Sequence, residues 1–380
     1  MFANRIGNLA ESPVRQILKV IDRPGMISFA GGLPAAECFP CFDYTTLSAS
    51  HLQYGPSEGE DKLREQVATL LGKRGLQVVA DQVMILSGSQ QGIDLVAKLF
   101  IEPGVKVAIE APTYLAALQA FDLFGAEYQG FNFNDPKTDG TRLTYAIPTF
   151  QNPTGHCYTT EQRKSLAAAC DATGSVLFED DPYCDLKYSE CDRTPVCHFV
   201  KEADWIYQGS FSKSFAPGLR LGYMACSKSL LPTMVRLKQA ADLHSCRLSQ
   251  QLISTLLDNR DDRDLSGFYK KRRDSFQAAL KNSFSELAHW QQPSGGIFFW
   301  LKLKPAYQVD TRLLLGAAIN EGVAYMPGEA FYPSGTEPQS TLRLNFSHAT
   351  PQMAREGLHL LAKIIEAAAN LHYSQGDRRN

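Results

Sequence analysis

The sequence predicts an α/β fold with two parts: a large domain with a mostly parallel sheet between helices, and a smaller α+β domain. Between about residues 80 and 210, short apolar runs alternate with helical patterns. Repeated strand–helix–strand units of this kind form parallel sheets that are covered on both faces. After about residue 229 the pattern changes, and longer helices surround three separate strands. The length of 380 residues also fits two domains of ~150 residues or more each.

The first strand is expected at residues 83–86, and the helix after it runs to residue 100, before Pro103 and Gly104. Further strands are expected at residues 105–109, 128–133, 144–148, 175–178 and 205–208. A helix is expected at 115–124, and Thr159 and Gln162 form the capping box of another that reaches residue 171. Only 11 residues, 134–144, precede Tyr145 in the link between two strands, so we expect this link to be nearly extended.

In the second part, helices are expected at residues 230–257, 265–284, 310–321 and 351–372, with strands at 296–301, 323–325 and 341–346. We expect residues 1–44 to form an N-terminal arm and part of the small domain. Residues 45–262 would form the large domain, and residues 263–380 the rest of the small domain.

The composition excludes several classes of protein. Hydrophobic residues make up 44% and charged residues 21%, as in ordinary globular chains. The net charge of -2 provides no basic field for nucleic acid or an anionic membrane. The sequence contains no run of ~18 apolar residues that would predict a transmembrane helix, and its N-terminus lacks the apolar core of a signal peptide. We therefore expect a cytoplasmic protein without nucleic-acid or membrane partners.

The nine cysteines are thinly spread, and only Cys38 and Cys41 form a C-x-x-C pattern. A zinc site of this type needs a second pair, and a redox site needs the pattern at the start of a helix after a strand. Neither context is present in the sequence. We expect free, reduced thiols and no metal site.

Ligands of open α/β sheets bind beyond the carboxyl ends of the strands, so the residues that follow each strand are the candidates for a site. Ser89 and Gln90 open a helix after the first strand, where backbone N–H groups favour a phosphate, although Ser89 is also an ordinary helix cap. After the strand at 205–208, Ser210, Ser212 and Arg220 offer hydroxyl and guanidinium donors for a phosphate.

Lys213 lies among these donors and is either a further counter-ion or an amine that forms a Schiff base with an aldehyde cofactor. The spacing of a nucleotide-binding P-loop is absent. Asp180 follows the strand at 175–178 and is a solvated acid, a metal ligand or the partner of a protonated heterocyclic nitrogen. Tyr183 and Asn152 can both donate to a phenolate, although Asn152 also fits a plain Asn-Pro turn.

Together these groups are the parts of a pyridoxal 5′-phosphate site. Recognisable motifs, such as Gln151-Asn-Pro-Thr-Gly155 and Gly209-Ser-Phe-Ser-Lys213, occur in a fixed order along nearly the whole chain. They cover residues 28–34, 52–59, 87–91, 110–114, 148–155, 179–183, 209–213, 217–220, 241–244, 326–328 and 342–345. With these motifs the sequence resembles the class I and II aminotransferases of fold type I, and within them the 2-aminoadipate/kynurenine aminotransferase group.

The resemblance implies a pyridoxal 5′-phosphate cofactor, bound by the domain at residues 45–262, and a homodimer. Lys213 would carry the cofactor as a Schiff base and Asp180 would bind the pyridine nitrogen. Tyr183 and Asn152 would contact the ring oxygen, and Tyr114 would stack on the ring. The phosphate would be held by Ser89, Gln90, Ser210, Ser212 and Arg220, together with Tyr54 of the partner subunit.

For the substrate, the resemblance implies that Arg343 binds the α-carboxylate, with Asn152 and Gly32 beside it. Without the resemblance, Arg343 could equally be a surface cation on an edge strand. Arg15, on an N-terminal helix, is the candidate that binds the distal carboxylate of 2-aminoadipate or glutamate and moves aside for aromatic side chains. Its alternative is a solvated helix arginine.

The implied activity is ping-pong transfer of an amino group between an L-amino acid (aromatic, 2-aminoadipate-like or broad) and 2-oxoglutarate, with Lys213 as general base. A different pyridoxal-phosphate enzyme, a lyase or decarboxylase, would share Lys213 and Asp180. The effector domain of a pyridoxal-phosphate-dependent regulator would need a preceding DNA-binding domain. A nicotinamide dehydrogenase would need G-x-G-x-x-G after the first strand, which residues 88–92 do not supply.

Overall fold

A central sheet of seven strands organises the larger part of the fold. The computed structural model describes residues 2–8, 23–259, 263–333 and 340–376, with side chains as far as residue 370. In chain order the strands are β1 (Ile27–Ser28), β2 (Val83–Leu86), β3 (Lys106–Glu110), β4 (Glu127–Phe131), β5 (Leu143–Ala146), β6 (Val176–Asp181), β7 (Trp205–Ser210), β8 (Gly222–Cys226), β9 (Ala288–Trp290), β10 (Phe298–Leu303), β11 (Val323–Ala324), β12 (Met326–Pro327) and β13 (Thr341–Asn345). The central sheet has the order β2-β8-β7-β6-β5-β3-β4. Strand β8 is antiparallel to both of its neighbours and the other six strands run in one direction, which confirms the mostly parallel sheet.

Helices cover both faces of this sheet. In chain order the helices are α1 (Asp61–Lys73), α2 (Ser89–Phe100), α3 (Leu115–Leu123), α4 (Thr160–Thr173), α5 (Leu231–Ala241), α6 (Arg247–Asp258), α7 (Leu265–Phe284), α8 (Thr311–Asn320) and α9 (Pro351–Gly376). Helices α2, α3 and α5 share one apolar cluster with strand residues such as Tyr145, whereas α1, α4 and α6 share another with residues such as Ala146. Successive strand residues point to opposite faces, so the apolar runs fill both layers. Within the described ranges, no helix has the length and apolar content needed to span a membrane.

A smaller sheet of four strands is formed by the C-terminal part of the chain. Its order is β12-β13-β10-β9, antiparallel throughout, and α7 and α9 pack with it in one apolar cluster. Strand β1 pairs in parallel with β11. The Phe29 ring meets the Phe276 ring edge to face, with 5.2 Å between the ring centroids. The segment around β1 is therefore built into the same core as the C-terminal helices and strands.

One expectation about these elements is wrong, and one strand of the central sheet was not expected. The single helix expected at residues 230–257 is two helices, α5 and α6. The chain turns between them, where Leu243 has a left-handed φ of 65° and Asp242 accepts hydrogen bonds from Ser87 Oγ and Lys238 Nζ. Strand β8 was not expected, because its first residue, Gly222, belongs to the glycine- and proline-containing segment that precedes it; all five of its residues are buried.

Two further elements differ in extent from the expectation. Strand β6 continues to Asp181, and its register with β7 also reaches that residue, so Asp180 lies within the strand rather than after it. The link between β4 and β5 contains no helix, but it is not fully extended. It turns twice, with backbone hydrogen bonds from Asp135 to Asn132 and from Thr141 to Thr138.

Candidate active site

The carboxyl ends of the central strands open into a cavity of about 530 Å³. Residues of β6 and of the segments that follow β2, β5 and β7 line one part of it. Residues 30–33, after β1, and residues of β10, β12 and β13 line the other part. The cavity therefore lies between the large and the small sheet, where open α/β sheets bind their ligands.

Lys213 follows β7 and lines this cavity. Its Nζ donates to the Gly32 carbonyl oxygen over 2.6 Å. Burial lowers the pKa of Lys213 to about 8, and the guanidinium groups of Arg343 and Arg220 contribute to the lowering. A lysine with this pKa is partly unprotonated near neutral pH, which a nucleophile or a general base requires.

Arg343 lies on β13 and is only 4% exposed. Its guanidinium carbon is 4.0 Å from the centre of the Phe298 ring and 4.8 Å from that of Phe331. Nη1 donates to Asn152 Oδ1 over 2.9 Å and Nη2 to the Ala30 carbonyl over 2.6 Å, while Nε is buried without a partner.

Desolvation lowers the pKa of Arg343 to about 10. Two tyrosines counteract this lowering, and no carboxylate among the described residues forms an ion pair with the guanidinium. A buried cation that keeps free donors and has no acid beside it is suited to bind a small anion. Arg343 therefore has the properties that a carboxylate-binding group needs.

Asp180 is the one carboxylate among the described residues that line the cavity. Tyr145 Oη donates to its Oδ2 over 2.8 Å, and Gln208 Nε2 donates to its Oδ1 over 2.9 Å. Burial raises the pKa of Asp180 to about 6, against the effect of these two hydrogen bonds. A buried carboxylate of this kind favours a cationic partner, such as a protonated ring nitrogen.

Hydroxyl and guanidinium groups that suit a phosphate lie around the start of α2. Ser89 begins this helix, Ser210 and Ser212 follow from β7, and Arg220 adopts a left-handed backbone with a φ of 48°. Gly222 lets the segments approach, since a Cβ at this position would lie 2.9 Å from the Ser89 backbone nitrogen. A helix N-terminus, three hydroxyl groups and a guanidinium together match a phosphate dianion.

The family model of aminotransferase class I and II matches residues 45–361 of the chain. The chain belongs to this family. It is 34% identical to an aromatic-amino-acid aminotransferase of Thermococcus litoralis, over 96% of this chain and 94% of the relative. It is also 34% identical to a 2-aminoadipate transaminase of Thermus thermophilus, over 96% of both chains. Among solved structures, a kynurenine aminotransferase of Pyrococcus horikoshii in complex with PMP matches with a TM-score of 0.88 at 34% identity, over 97% of each chain.

The protein is thus a pyridoxal 5′-phosphate-dependent aminotransferase of fold type I, and the cavity fits this cofactor. A phosphate dianion requires the donors at the start of α2, and a protonated ring nitrogen requires a buried carboxylate, which Asp180 provides. An aldehyde requires an amine of lowered pKa, which Lys213 provides. The buried Nε of Arg343 has no partner and is therefore free to bind a further anion in the same cavity.

Twelve of the fourteen residues predicted from the sequence line this one cavity. They are Gly32, Ser89, Gln90, Tyr114, Asn152, Asp180, Tyr183, Ser210, Ser212, Lys213, Arg220 and Arg343. Tyr54 does not line it: this residue is 76% exposed, and its ring meets the His244 ring edge to face. Arg15 lies outside the described residues. The individual roles of the fourteen residues stay predictions.

Three residues that contact Arg343 or Asp180 in the aminotransferase site were not predicted from the sequence. Phe298 packs under the Arg343 guanidinium and meets the Tyr183 ring edge to face. Tyr145 and Gln208 donate to Asp180. Gln208 gives a signal in the sequence, because it is polar inside the apolar run of β7 and buried polar side chains usually have a partner. Tyr145 gives no such signal, since its relation to Asp180 depends on how β5 and β6 pair.

Proposed function

We propose that this aminotransferase transfers the amino group of an aromatic or 2-aminoadipate-like L-amino acid to 2-oxoglutarate by a ping-pong mechanism. The observation that carries the proposal is the buried Arg343, whose Nε has no partner in the same cavity as Lys213 and Asp180. A substrate with an α-carboxylate and an α-amine suits this pair of cationic and nucleophilic groups. The names of the relatives support the donor class.

Bound pyridoxal 5′-phosphate supplies an aldehyde for the substrate amine and a protonated ring that withdraws electrons from the α-carbon. Lys213 Nζ takes the proton from the substrate α-carbon, and its lowered pKa suits a base that works near neutral pH. Asp180 keeps the ring nitrogen protonated, while Tyr183 and Asn152 donate to the ring oxygen. Arg343 orients the substrate through its α-carboxylate, so that the bond between the α-carbon and its hydrogen faces Lys213 Nζ in each turnover.

The phosphate is proposed to anchor the cofactor through Ser89, Gln90, Ser210, Ser212 and Arg220. Charge-assisted hydrogen bonds of this type contribute ~1.5–3 kcal/mol each, more than the helix dipole does at an exposed site. Tyr114 is proposed to stack on the ring; it lines the cavity, and burial raises the pKa of its hydroxyl.

The part of the cavity left for the substrate side chain is lined by uncharged residues that include Leu33, Leu115, Gln119 and Met326. An aromatic or other neutral side chain suits this lining. A distal carboxylate needs a cation in addition to the three that line the cavity, each of which already has a proposed partner. Arg15 is the proposed source of this cation.

The proposal for Arg15 is tested with Arg15→Ala. We expect kcat/KM to fall for glutamate, 2-aminoadipate and 2-oxoglutarate, and to remain unchanged for aromatic donors and their 2-oxo acids. An equal effect on acidic and aromatic substrates would contradict this role.

We further propose a cytoplasmic homodimer in which Tyr54 reaches the phosphate of the partner subunit. Exposed apolar side chains support an interface with a second chain; they are Phe39, Tyr44, Leu52, Tyr54 and Leu243. The free thiols of all nine cysteines support a reducing compartment. Mixed dimers of Lys213→Ala and Tyr54→Phe chains test the arrangement. One wild-type-like cofactor site per mixed dimer is expected if Tyr54 acts across the interface, and none if it acts within its own chain.

The catalytic assignment is tested with Lys213→Ala. This variant should lose the yellow, borohydride-sensitive adduct, whereas Lys238→Ala, at a fully buried lysine that pairs with Asp242, should keep it. A panel of amino donors with and without 2-oxoglutarate then separates transamination from its alternative. Release of carbon dioxide or ammonia without any 2-oxo acid acceptor would indicate a decarboxylase or lyase and refute the proposal.

A further inference from the structure

Each oxygen of the Asp180 carboxylate has its own buried donor. Tyr145 Oη donates to Oδ2 over 2.8 Å from β5, and Gln208 Nε2 donates to Oδ1 over 2.9 Å from β7. The two donors therefore hold Asp180 from the strands on either side of β6. Both are fully buried, so water does not replace them.

The packing around Tyr145 directs its hydroxyl to Asp180. The ring is fixed by edge and tilted contacts with Phe121 and Phe178, at centroid distances of 5.5 and 5.3 Å. Its hydroxyl donates to Asp180, and burial, together with the nearby carboxylate, raises the pKa of Tyr145 well above its usual range. Tyr145 therefore acts as a fixed hydrogen-bond donor and not as a second acid.

The position of Gln208 shows that its bond to Asp180 outweighs a cost elsewhere. Its Oε1 is buried without a partner, and such an orphan acceptor is unfavourable. The amide also needs space at helix α2: a Cβ at Gly92 would lie only 1.8 Å from this Oε1. Turning the amide over would set its oxygen against the carboxylate of Asp180, so the donating orientation is the one the site retains.

We propose that Tyr145 and Gln208 are positioning residues that hold Asp180 ionised and aimed at the ring nitrogen of the cofactor. The inference rests on the proposed role of Asp180 in the aminotransferase. Neither residue touches the reacting atoms. They act through Asp180, since two donated hydrogen bonds favour its charged form and leave its remaining lone pairs for a cation.

Several other ionisable groups lie near Asp180 and influence its protonation. Tyr114 and Tyr183 lie close enough in the cavity to sense its charge, and Lys213 lines the same cavity. Behind it, the negative charge of Asp181 raises the pKa of Asp180, whereas Tyr145 and Gln208 lower it. Removing either donor should therefore raise the pKa of Asp180.

The chain offers a matched control. Tyr207 Oη donates to Asp181 Oδ2 over 2.8 Å, the same distance as from Tyr145 to Asp180, and Tyr207 is also fully buried. Tyr145→Phe and Tyr207→Phe thus each remove one hydroxyl donor, from Asp180 and Asp181 respectively, which are neighbouring acids on β6. Only the first of these acids lines the cofactor cavity.

The experiment measures the affinity of the apoprotein for pyridoxal 5′-phosphate between pH 5 and 9. In the wild type we expect the affinity to fall as pH drops through about 6, where Asp180 becomes protonated. In Tyr145→Phe and Gln208→Met this fall should move upward by about one to two pH units, since a hydrogen bond to the charged form of Asp180 is lost. In Tyr207→Phe it should stay or move down.

The kinetic readout is the half-reaction with an amino donor. For Tyr145→Phe and Gln208→Met we expect kcat to fall roughly 10-fold or more while KM stays near the wild-type value, because Arg343 is untouched. A pH midpoint and a kcat equal to those of Tyr207→Phe would overturn the proposal. Each variant tests one carboxylate oxygen, so a folding failure of one leaves the other as the test.

Asp180→Asn separates the two levels of the inference. If this variant keeps wild-type cofactor affinity and rate, the role of Asp180 itself is refuted. If it loses both while Tyr145→Phe and Gln208→Met behave like Tyr207→Phe, the role of Asp180 stands and only the proposed role of its two donors fails.

Discussion

Replacing Arg343 by lysine keeps the positive charge of the site but removes the planar fork of donors. A guanidinium has five N–H donors. Two of them bind Asn152 and the Ala30 carbonyl, which leaves three, including the orphan Nε–H, for a substrate carboxylate. If two of these bind the carboxylate at ~1.5–3 kcal/mol each, a lysine retains one bond and loses the other.

The expected loss in Arg343→Lys is therefore one charge-assisted hydrogen bond, which is roughly a 10- to 150-fold fall in kcat/KM for the amino donor. The carboxylate is bound in the ground state and in the transition state alike, so KM should rise while kcat changes little. Single-turnover absorbance with an aromatic donor, over a range of donor concentrations, measures both quantities.

Arg273→Lys is the control, because Arg273 is also 4% exposed and its guanidinium carbon lies 5.4 Å from the centre of the Tyr188 ring, but it does not line the cavity. This variant should change stability and leave KM unchanged. An unchanged kcat/KM in Arg343→Lys, or an equal rise of KM in both variants, would refute the assignment of Arg343 to the α-carboxylate.

Two further predictions concern pH and stability. Capture of pyridoxal 5′-phosphate by the apoprotein should accelerate as pH rises through about 8, because the unprotonated fraction of Lys213 grows there. Stopped-flow absorbance measures this rate. A rate that does not change between about pH 6.5 and 9.5 would contradict the prediction. Thr159→Ala removes the capping box of α4, in which Thr159 Oγ1 accepts from the Gln162 backbone. We expect a loss of about 1 kcal/mol in the free energy of unfolding with unchanged kcat/KM, measured by urea denaturation; an unchanged urea midpoint would show that the cap contributes nothing.

The residues of the site that follow strand ends could be predicted from the sequence, because position after an apolar run and side-chain chemistry together restrict their role. Lys213 and Arg220 are of this kind, and both line the cavity. Their detailed roles came from the resemblance to a family, since an isolated lysine beside hydroxyl groups is equally consistent with a simple counter-ion. Strand β8 was not predicted because its first residue, Gly222, belongs to the glycine- and proline-containing segment before it.

The contacts between strands could not be predicted in the same way. Gln208 stands directly opposite Asp180 in the register of β6 and β7, and this register appears only when the sheet is assembled. The turn at Leu243 splits the expected helix because Asp242 binds Ser87, which lies 155 positions away in the sequence. Tyr54 poses a different problem, since its role requires a second chain; the domain limits at residues 44/45 and 262/263 also stay predictions.

The electrostatics of the cavity explain why Arg343 is buried without an acid beside it. Lowering the pKa of Arg343 from 12.5 to about 10 corresponds to about 3 kcal/mol against the charged form in the folded protein. A carboxylate side chain beside Arg343 would remove this cost, but it would also occupy the donors that a substrate needs. If Arg343 binds the α-carboxylate as proposed, the free protein carries a destabilised charge that the substrate relieves, and part of the binding free energy comes from a penalty already present before the substrate arrives. The net charge of -2 does not reveal this arrangement, because it counts the cations without regard to where they are buried.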